Sequence, residues 1–253
     1  METIRVERSE QTPGLATIWL NRPEKLNAIS TAMHLELQEA CGQLRGETNI
    51  RVVVLRGEGR AFSAGADLGR TGNPNTGQPS EAASPLEQRW RSGIGNRTCE
   101  ALESLEQVTI GVANGLAIGG AVVFLSCCDI RVAAESAWFS IPEVDLDIPL
   151  TWNALPRLMR ELGPARTREL VMTCDRFTSA EAERWGFLNR VHPDTELDAA
   201  VAALAEKLLA KDALSLTLTK TTTRALANQL VPLETTHADA DYLVLSRLHR
   251  ESR

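Results

Sequence analysis

The sequence lacks the short patterns that mark several common chemistries. Its five cysteines, Cys41, Cys99, Cys127, Cys128 and Cys174, are odd in number and never spaced CxxC. That excludes a disulfide framework and a cysteine zinc site. There is no HExxH, no GxxxxGK[ST] and no strand-placed GxGxxG, so neither a zinc-hydrolase helix nor a phosphate-cradling loop is indicated. Ser63 lacks the preceding glycine of a GxSxG nucleophile elbow. Positive charge is also in short supply. The 27 Lys and Arg against 33 Asp and Glu give a net charge of −6, the wrong field for a dedicated nucleic-acid or anionic-membrane binder. A local basic patch for a phosphorylated ligand remains compatible with that balance. The first ten residues are charged and contain no apolar signal-peptide region, so a cytoplasmic location is expected.

One uncharged run, residues 108–128, is long enough to span a bilayer. It holds Gly111, Gly115, Gly119 and Gly120, with an Asn114-Gly115 turn signal near its front. Four glycines make a poor continuous helix. The run reads instead as buried strand, turn and buried helix. Cys127 and Cys128 sit at its end as small core residues.

The 253 residues, 43% apolar and 24% charged, suit a globular chain of one large domain or two small ones. Strand and helix patterns alternate in the first half. Residues 3–7, 15–20, 51–56, 109–113 and 130–134 read as strands. Ser30 can cap a helix at 31–44, whose Met33, Leu37, Ala40 and Leu44 keep helical spacing. Residues 71–85, rich in Gly, Pro, Asn and Ser, read as a surface loop, and 86–105 as one helix. The second half is helical, at 155–161, 164–173, 179–185, 196–210 (capped by Thr195), 213–230 and 232–250. His237, Asp239 and Asp241 read as a solvated helix face rather than a metal site. The expected fold class is α/β: one core with a helical C-terminal region.

Two glycine-containing turns stand out: Ala61-Phe62-Ser63-Ala64-Gly65-Ala66-Asp67-Leu68, after the Val-rich strand, and Asn114-Gly115-Leu116-Ala117-Ile118-Gly119-Gly120, before an apolar helix. Small residues let backbone approach a ligand closely. Spacing alone leaves two readings open. One is tight packing of strand on helix; the other is two N–H donors converging on one oxygen.

These two blocks, with Asn21-Arg22-Pro23-Glu24-Lys25-Leu26-Asn27-Ala28, Asp129-Ile130-Arg131-Val132-Ala133 and Pro142-Glu143-Val144, resemble the crotonase family, the enoyl-CoA hydratase/isomerase superfamily. The similarity runs over residues 4–220. It implies a crotonase-like spiral of ββα units at 1–193, followed by a helical region at 194–253 that serves trimerisation and covers the active site. It further implies a homotrimer or hexamer and an acyl-CoA thioester ligand. No nucleic acid, membrane, metal or separate cofactor is expected, since coenzyme A enters with the substrate. By the same match, the backbone N–H groups of Ala66 and Gly120 form the oxyanion hole. Lys25, Ala28, Ala64, Asp67 and Leu68 border the coenzyme A. Arg22 and Lys25 are candidates for its phosphates, a solvated surface role being equally open for each.

Hydratases of the family use two glutamates. An ungapped match puts the second at Glu143 and the first at Val123, and valine can neither hold nor deprotonate water. One carboxylate over an oxyanion hole still suffices to shift a double bond, so an enoyl-CoA isomerase with Glu143 as sole acid/base is favoured. A hydratase of altered mechanism and a non-catalytic CoA-ester binder are the alternatives. Glu143, Asp145 and Asp147 alternate, so an extended chain would aim all three one way, with Asp145 and Asp147 as auxiliary carboxylates. Asp147 replaces a common family glycine, and Trp152-Asn153-Ala154 replaces a Gly-rich stretch. Trp90, Trp138 and Trp152 either line the pocket or fill the core, core being the default. Asp129 is expected to fix structure.

Overall fold

The computed structural model describes residues 1–68, 84–236 and 238–252. Most of the stretch read as a surface loop at 71–85 lies outside them, as does His237. The chain opens with an antiparallel pair, β1 (Ile4–Arg8) and β2 (Leu15–Leu20), and returns through α1 (Thr31–Arg45). Two more strand pairs follow. They are β3 (Val52–Gly57) with β4 (Ala61–Ser63), leading to α2 (Pro85–Ser92) and α3 (Ile94–Glu103), and β5 (Val108–Ala113) with β6 (Leu116–Ile118), leading to α4 (Gly120–Ser126). The fourth unit is β7 (Ile130–Ala134), β8 (Trp138–Ser140) and α5 (Ala154–Thr173). Then come β9 (Phe177–Thr178), α6 (Ser179–Arg184) and β10 (Arg190–His192). Past these, the described chain is helical: α7 (Leu197–Leu209), α8 (Ala213–Leu230) and α9 (Asp239–Glu251), with short 3-10 turns between.

Each turn of this ββα spiral stacks on the last. Strands β2, β3, β5, β7 and β10 pair in parallel in a six-stranded sheet edged by β1. The shorter β4, β6, β8 and β9 form a second sheet. A parallel strand covered on both faces must be apolar throughout. Accordingly Val52, Val53, Val54 and Leu55 of β3 and all six residues of β5 are buried. The uncharged run at 108–128 is β5, a turn, β6 and the wholly buried α4. Among the described residues no helix is long and apolar enough to cross a membrane.

Several expectations need correcting. The helix expected at 86–105 is two, broken at Gly93, and Ser84 with Glu87 forms a capping box that starts α2 at Pro85. The break expected between 161 and 164 is present: α5 consists of two helical segments separated by the non-helical Gly163 (φ 73°), with Pro164 starting the second. Thr195 does not cap α7. It lies within the 3-10 turn Asp194–Glu196, and α7 begins without a side-chain cap. The expected Ser30 cap is present, its side chain accepting from the Met33 N–H. Asp129 is structural: it accepts from the Thr109 N–H (2.7 Å) and pairs with Lys220 Nζ (2.7 Å), the one buried residue of α8.

Candidate active site

The two glycine turns meet beside a cavity of about 690 Å³. The first is bolted to residues 26–29. Ala64 N–H donates to Leu26 O, Ile29 N–H to Gly65 O, and Asp67 N–H to Ile29 O, all within 2.9 Å. Leu26 and Asn27 take left-handed conformations to make that approach. The fully buried Asn27 amide then holds Glu58 O and Ala61 O, both at 2.9 Å. Ser63 is a buried strut, donating to Asn27 O and accepting from Gly65 N–H. Gly65, at φ 82°, lies against Ile118 O, where a Cβ would stand 2.5 Å from that oxygen and 3.8 Å from Gly120 N. Gly119, at φ 54°, turns β6 into α4 while its N–H donates to Ser140 O.

This arrangement leaves the Ala66 and Gly120 N–H groups without a hydrogen-bond partner among the described residues, and both residues line the cavity. The Gly120 amide is free because the first amides of a helix have no carbonyl behind them.

Glu143 lines the same cavity, packed on Gly119; a Cβ there would stand 2.5 Å from Glu143 Oε1. Its Oε2 is closed from solvent and has no hydrogen-bond partner. Burial pushes this carboxyl up to about 7, because desolvation disfavours the charged form. Val123 is buried and lines the cavity from α4. His34, from α1, also lines it and is held neutral, pushed down to about 3 chiefly by burial and secondly by the Arg97 charge. Its Nδ1 is 2.9 Å from Thr98 Oγ1.

Lys25, Ala64, Asp67 and Leu68 line the cavity with Ala66, Gly120 and Glu143. Asp67 pairs with Arg22 at 2.8 Å, so Arg22 braces this turn. Ala28 does not line the cavity; its carbonyl accepts from Arg22. Asp145 and Asp147 do not line it either, and both are exposed. The segment is not extended. Leu146 N–H and Ile148 N–H both fold back on Glu143 O, and Asp147 is left-handed at φ 55°. The alternation argument therefore fails, and Leu146 and Ile148 face the cavity instead. The tryptophans divide: Trp138 is half-buried away from the cavity, under the Arg176 guanidinium, and Trp152 packs on the core while also reaching the cavity. Trp90 is 61% exposed, and Trp90 and Trp152 both line the cavity. His34 gave no signal in the sequence, since it sits beside Met33 and Leu37 on the apolar face of α1.

Chemically, the cavity offers two free donors, one uncharged-leaning carboxyl group and apolar walls. Among the described residues no three His, Cys, Asp or Glu side chains cluster to hold a metal. The sequence matches the family described as enoyl-CoA hydratase/isomerase over residues 10–251. It is 32% identical to the crotonyl-CoA hydratase of Syntrophomonas wolfei, across 87% of this chain and 80% of that one. It is equally similar, at 32% and the same coverages, to the peroxisomal Delta(3,5)-Delta(2,4)-dienoyl-CoA isomerase of Arabidopsis thaliana. The structure of an enoyl-CoA hydratase from Bacillus anthracis superposes with a TM-score of 0.79 at 32% identity, over 98% of this chain and 91% of that one.

Proposed function

The chain belongs to the enoyl-CoA hydratase/isomerase family, and from that premise we propose that it is an enoyl-CoA isomerase working through a single carboxylate. The observation that carries this reading is Glu143, half-buried in the cavity wall with its Oε2 closed from solvent and unpartnered, while the buried Val123 stands at the position that the family resemblance gives to the hydratases' first glutamate. The other carboxylate lining the cavity, Asp67, is tied to Arg22.

The thioester oxygen sits between the Ala66 and Gly120 N–H groups. When Glu143 takes a proton from C2 of a 3-enoyl-CoA, negative charge moves onto that oxygen. Two preorganised donors stabilise the resulting enolate, each by about 3–4 kcal/mol. Glu143 then returns the proton at C4, and the double bond lies between C2 and C3. A group that must both accept and return a proton works best with a pKa near the working pH, and burial brings Glu143 there. Coenzyme A is bound through the Lys25, Ala64, Asp67 and Leu68 side of the cavity. The exposed leucines 214, 218, 226 and 230 of α8 support a homotrimer or hexamer, which light scattering tests.

Hydration is the second reading, favoured by the crotonyl-CoA hydratase relative. Two incubations in heavy water separate the readings, one with a 3-enoyl-CoA and one with a 2-enoyl-CoA, the product mass being read in each. A 2-enoyl-CoA formed from the 3-enoyl-CoA without added water, by wild type but not by Glu143→Gln while CoA-ester binding survives, is the expected result. A 3-enoyl-CoA left unchanged and a 3-hydroxyacyl-CoA formed from the 2-enoyl-CoA establish hydration instead. Binding with no turnover of any enoyl-CoA leaves a CoA-ester-binding protein.

A further inference from the structure

The cavity closes behind the Gly120 amide on an unusual piece of backbone. Trp152 and Asn153 are successive residues with side chains, both in the left-handed region at φ 66° and 52°. Non-glycine residues avoid this region, and a chain stays there only where its surroundings over-determine it. Here they do. Asn153 N–H donates to Asp239 Oδ2 at 2.7 Å, and Asn96 Nδ2 donates to Asp239 Oδ1 at 3.0 Å and to Asn153 Oδ1 at 3.2 Å. Arg157 donates to the carbonyls of both Trp152 and Asn153 at 3.0 Å, and is itself fixed by Glu103 at 2.7 Å.

What this clamp aims is the indole of Trp152. The ring reaches from α3 to the start of α4, so closely that a Cβ on Gly95 or on Gly120 would overlap it. Phe124 stacks on it at 5.6 Å between centroids, and His34 meets it edge-on at 4.8 Å. The indole is nonetheless not sealed in the core, for it is half-buried and lines the cavity. It therefore stands as a rigid wall beside the amide that receives the thioester oxygen.

We infer that Trp152 sets the acyl length: the site takes short-chain acyl-CoA thioesters, and Asp239, at the start of α9, is the positioning residue that holds the wall in place. The inference rests on the acyl-CoA reading above. A chain leaving the thioester carbonyl and passing Glu143 meets the indole within a few bonds. Each further methylene then has to displace a ring held on two sides and by its own backbone.

The test measures kcat/KM for four-carbon and ten-carbon enoyl-CoA substrates, with calorimetric binding of butyryl-CoA and decanoyl-CoA alongside. Wild type is expected to favour the four-carbon compounds. Trp152→Val should move the ratio toward ten carbons by roughly tenfold or more, since single methylenes in apolar pockets discriminate on that scale. Trp152→Phe, which keeps a ring against Phe124, should give a smaller shift in the same direction and guards against a Val variant that does not fold. Asp239→Asn should also shift the ratio toward ten carbons, which a merely structural loss of stability would not do. A wild type that prefers ten carbons, or a ratio unchanged in both Trp152 variants, overturns the inference while leaving the acyl-CoA reading intact. Failure of wild type to bind either acyl-CoA overturns both.

Discussion

Replacing Glu143 by Gln should abolish double-bond migration and at the same time stabilise the protein above neutral pH. The carboxyl has an ordinary pKa of 4.5 in the unfolded chain and about 7 in the folded one, with desolvation as the largest cause. Below pH 4.5 it is protonated in both states and contributes nothing. Between pH 4.5 and 7 the folded state holds its proton while the unfolded state has released it. Unfolding free energy therefore falls as pH rises through that window. Above it, a charge sits buried without a partner for Oε2. A raise of about 2.5 units at 1.36 kcal/mol each is a loss of about 3 kcal/mol. Glutamine does not titrate and has no such loss. Denaturant unfolding of both proteins from pH 4.5 to 8 isolates the effect, because other groups titrate alike in each. The stability difference should grow by about 3 kcal/mol in favour of the variant, or roughly 6 °C in Tm. A difference that is flat across the window, or that grows in favour of wild type, refutes the claim that this carboxyl is held protonated by burial.

Three further outcomes follow from the same geometry. The kcat/KM of isomerisation should rise with pH and level off above about 7, because the base must be ionised in the free enzyme; a pH-rate profile levelling near 4.5 would contradict it. Gly119→Ala should cut kcat more than tenfold with folding retained by circular dichroism, since its Cβ would stand 2.5 Å from Glu143 Oε1 on backbone at φ 54°. Lys220→Met should cost about 2–3 kcal/mol in denaturant unfolding, because Asp129 loses its 2.7 Å partner and Gln107 O its donor; an unchanged midpoint would count against α8 being tied down there.

The long elements were legible because their periodicity is strong. The Val-rich β3, the buried run through β5 and α4, and the stripe of α7 through Leu197, Val201 and Leu204 all declare their burial in sequence. The second strand of the later three ββα units was not legible. Residues 61–63, 116–118 and 138–140 give three positions each, too few for alternation to show. They are strands because the first strands, stacked in parallel, hold them side by side. Gly93 shows the complementary failure, for one residue breaks what the neighbouring helical pattern reads as a single helix, whereas Gly163 followed by Pro164 declared its break in the sequence.

The site divides along the same line. The glycine turns could be picked out from residue size, but their meeting depends on the lateral pairing of β4 with β6. The carboxylates are more instructive. Alternation placed Glu143, Asp145 and Asp147 on one face, and that holds only for extended chain. Two amides folding back on Glu143 O make a 3-10 turn, in which side chains fan out around the axis. Asp145 and Asp147 are consequently exposed, and among the described residues no like charge contributes to the Glu143 shift. The raised pKa of Glu143 thus comes from desolvation alone, with Gly119 beneath the carboxyl and Val123 among the cavity walls. A second carboxylate at position 123 would bring its own charge and water into this space. On the single-carboxylate reading proposed above, valine there keeps the space apolar and so supports the protonation balance that a lone acid/base needs.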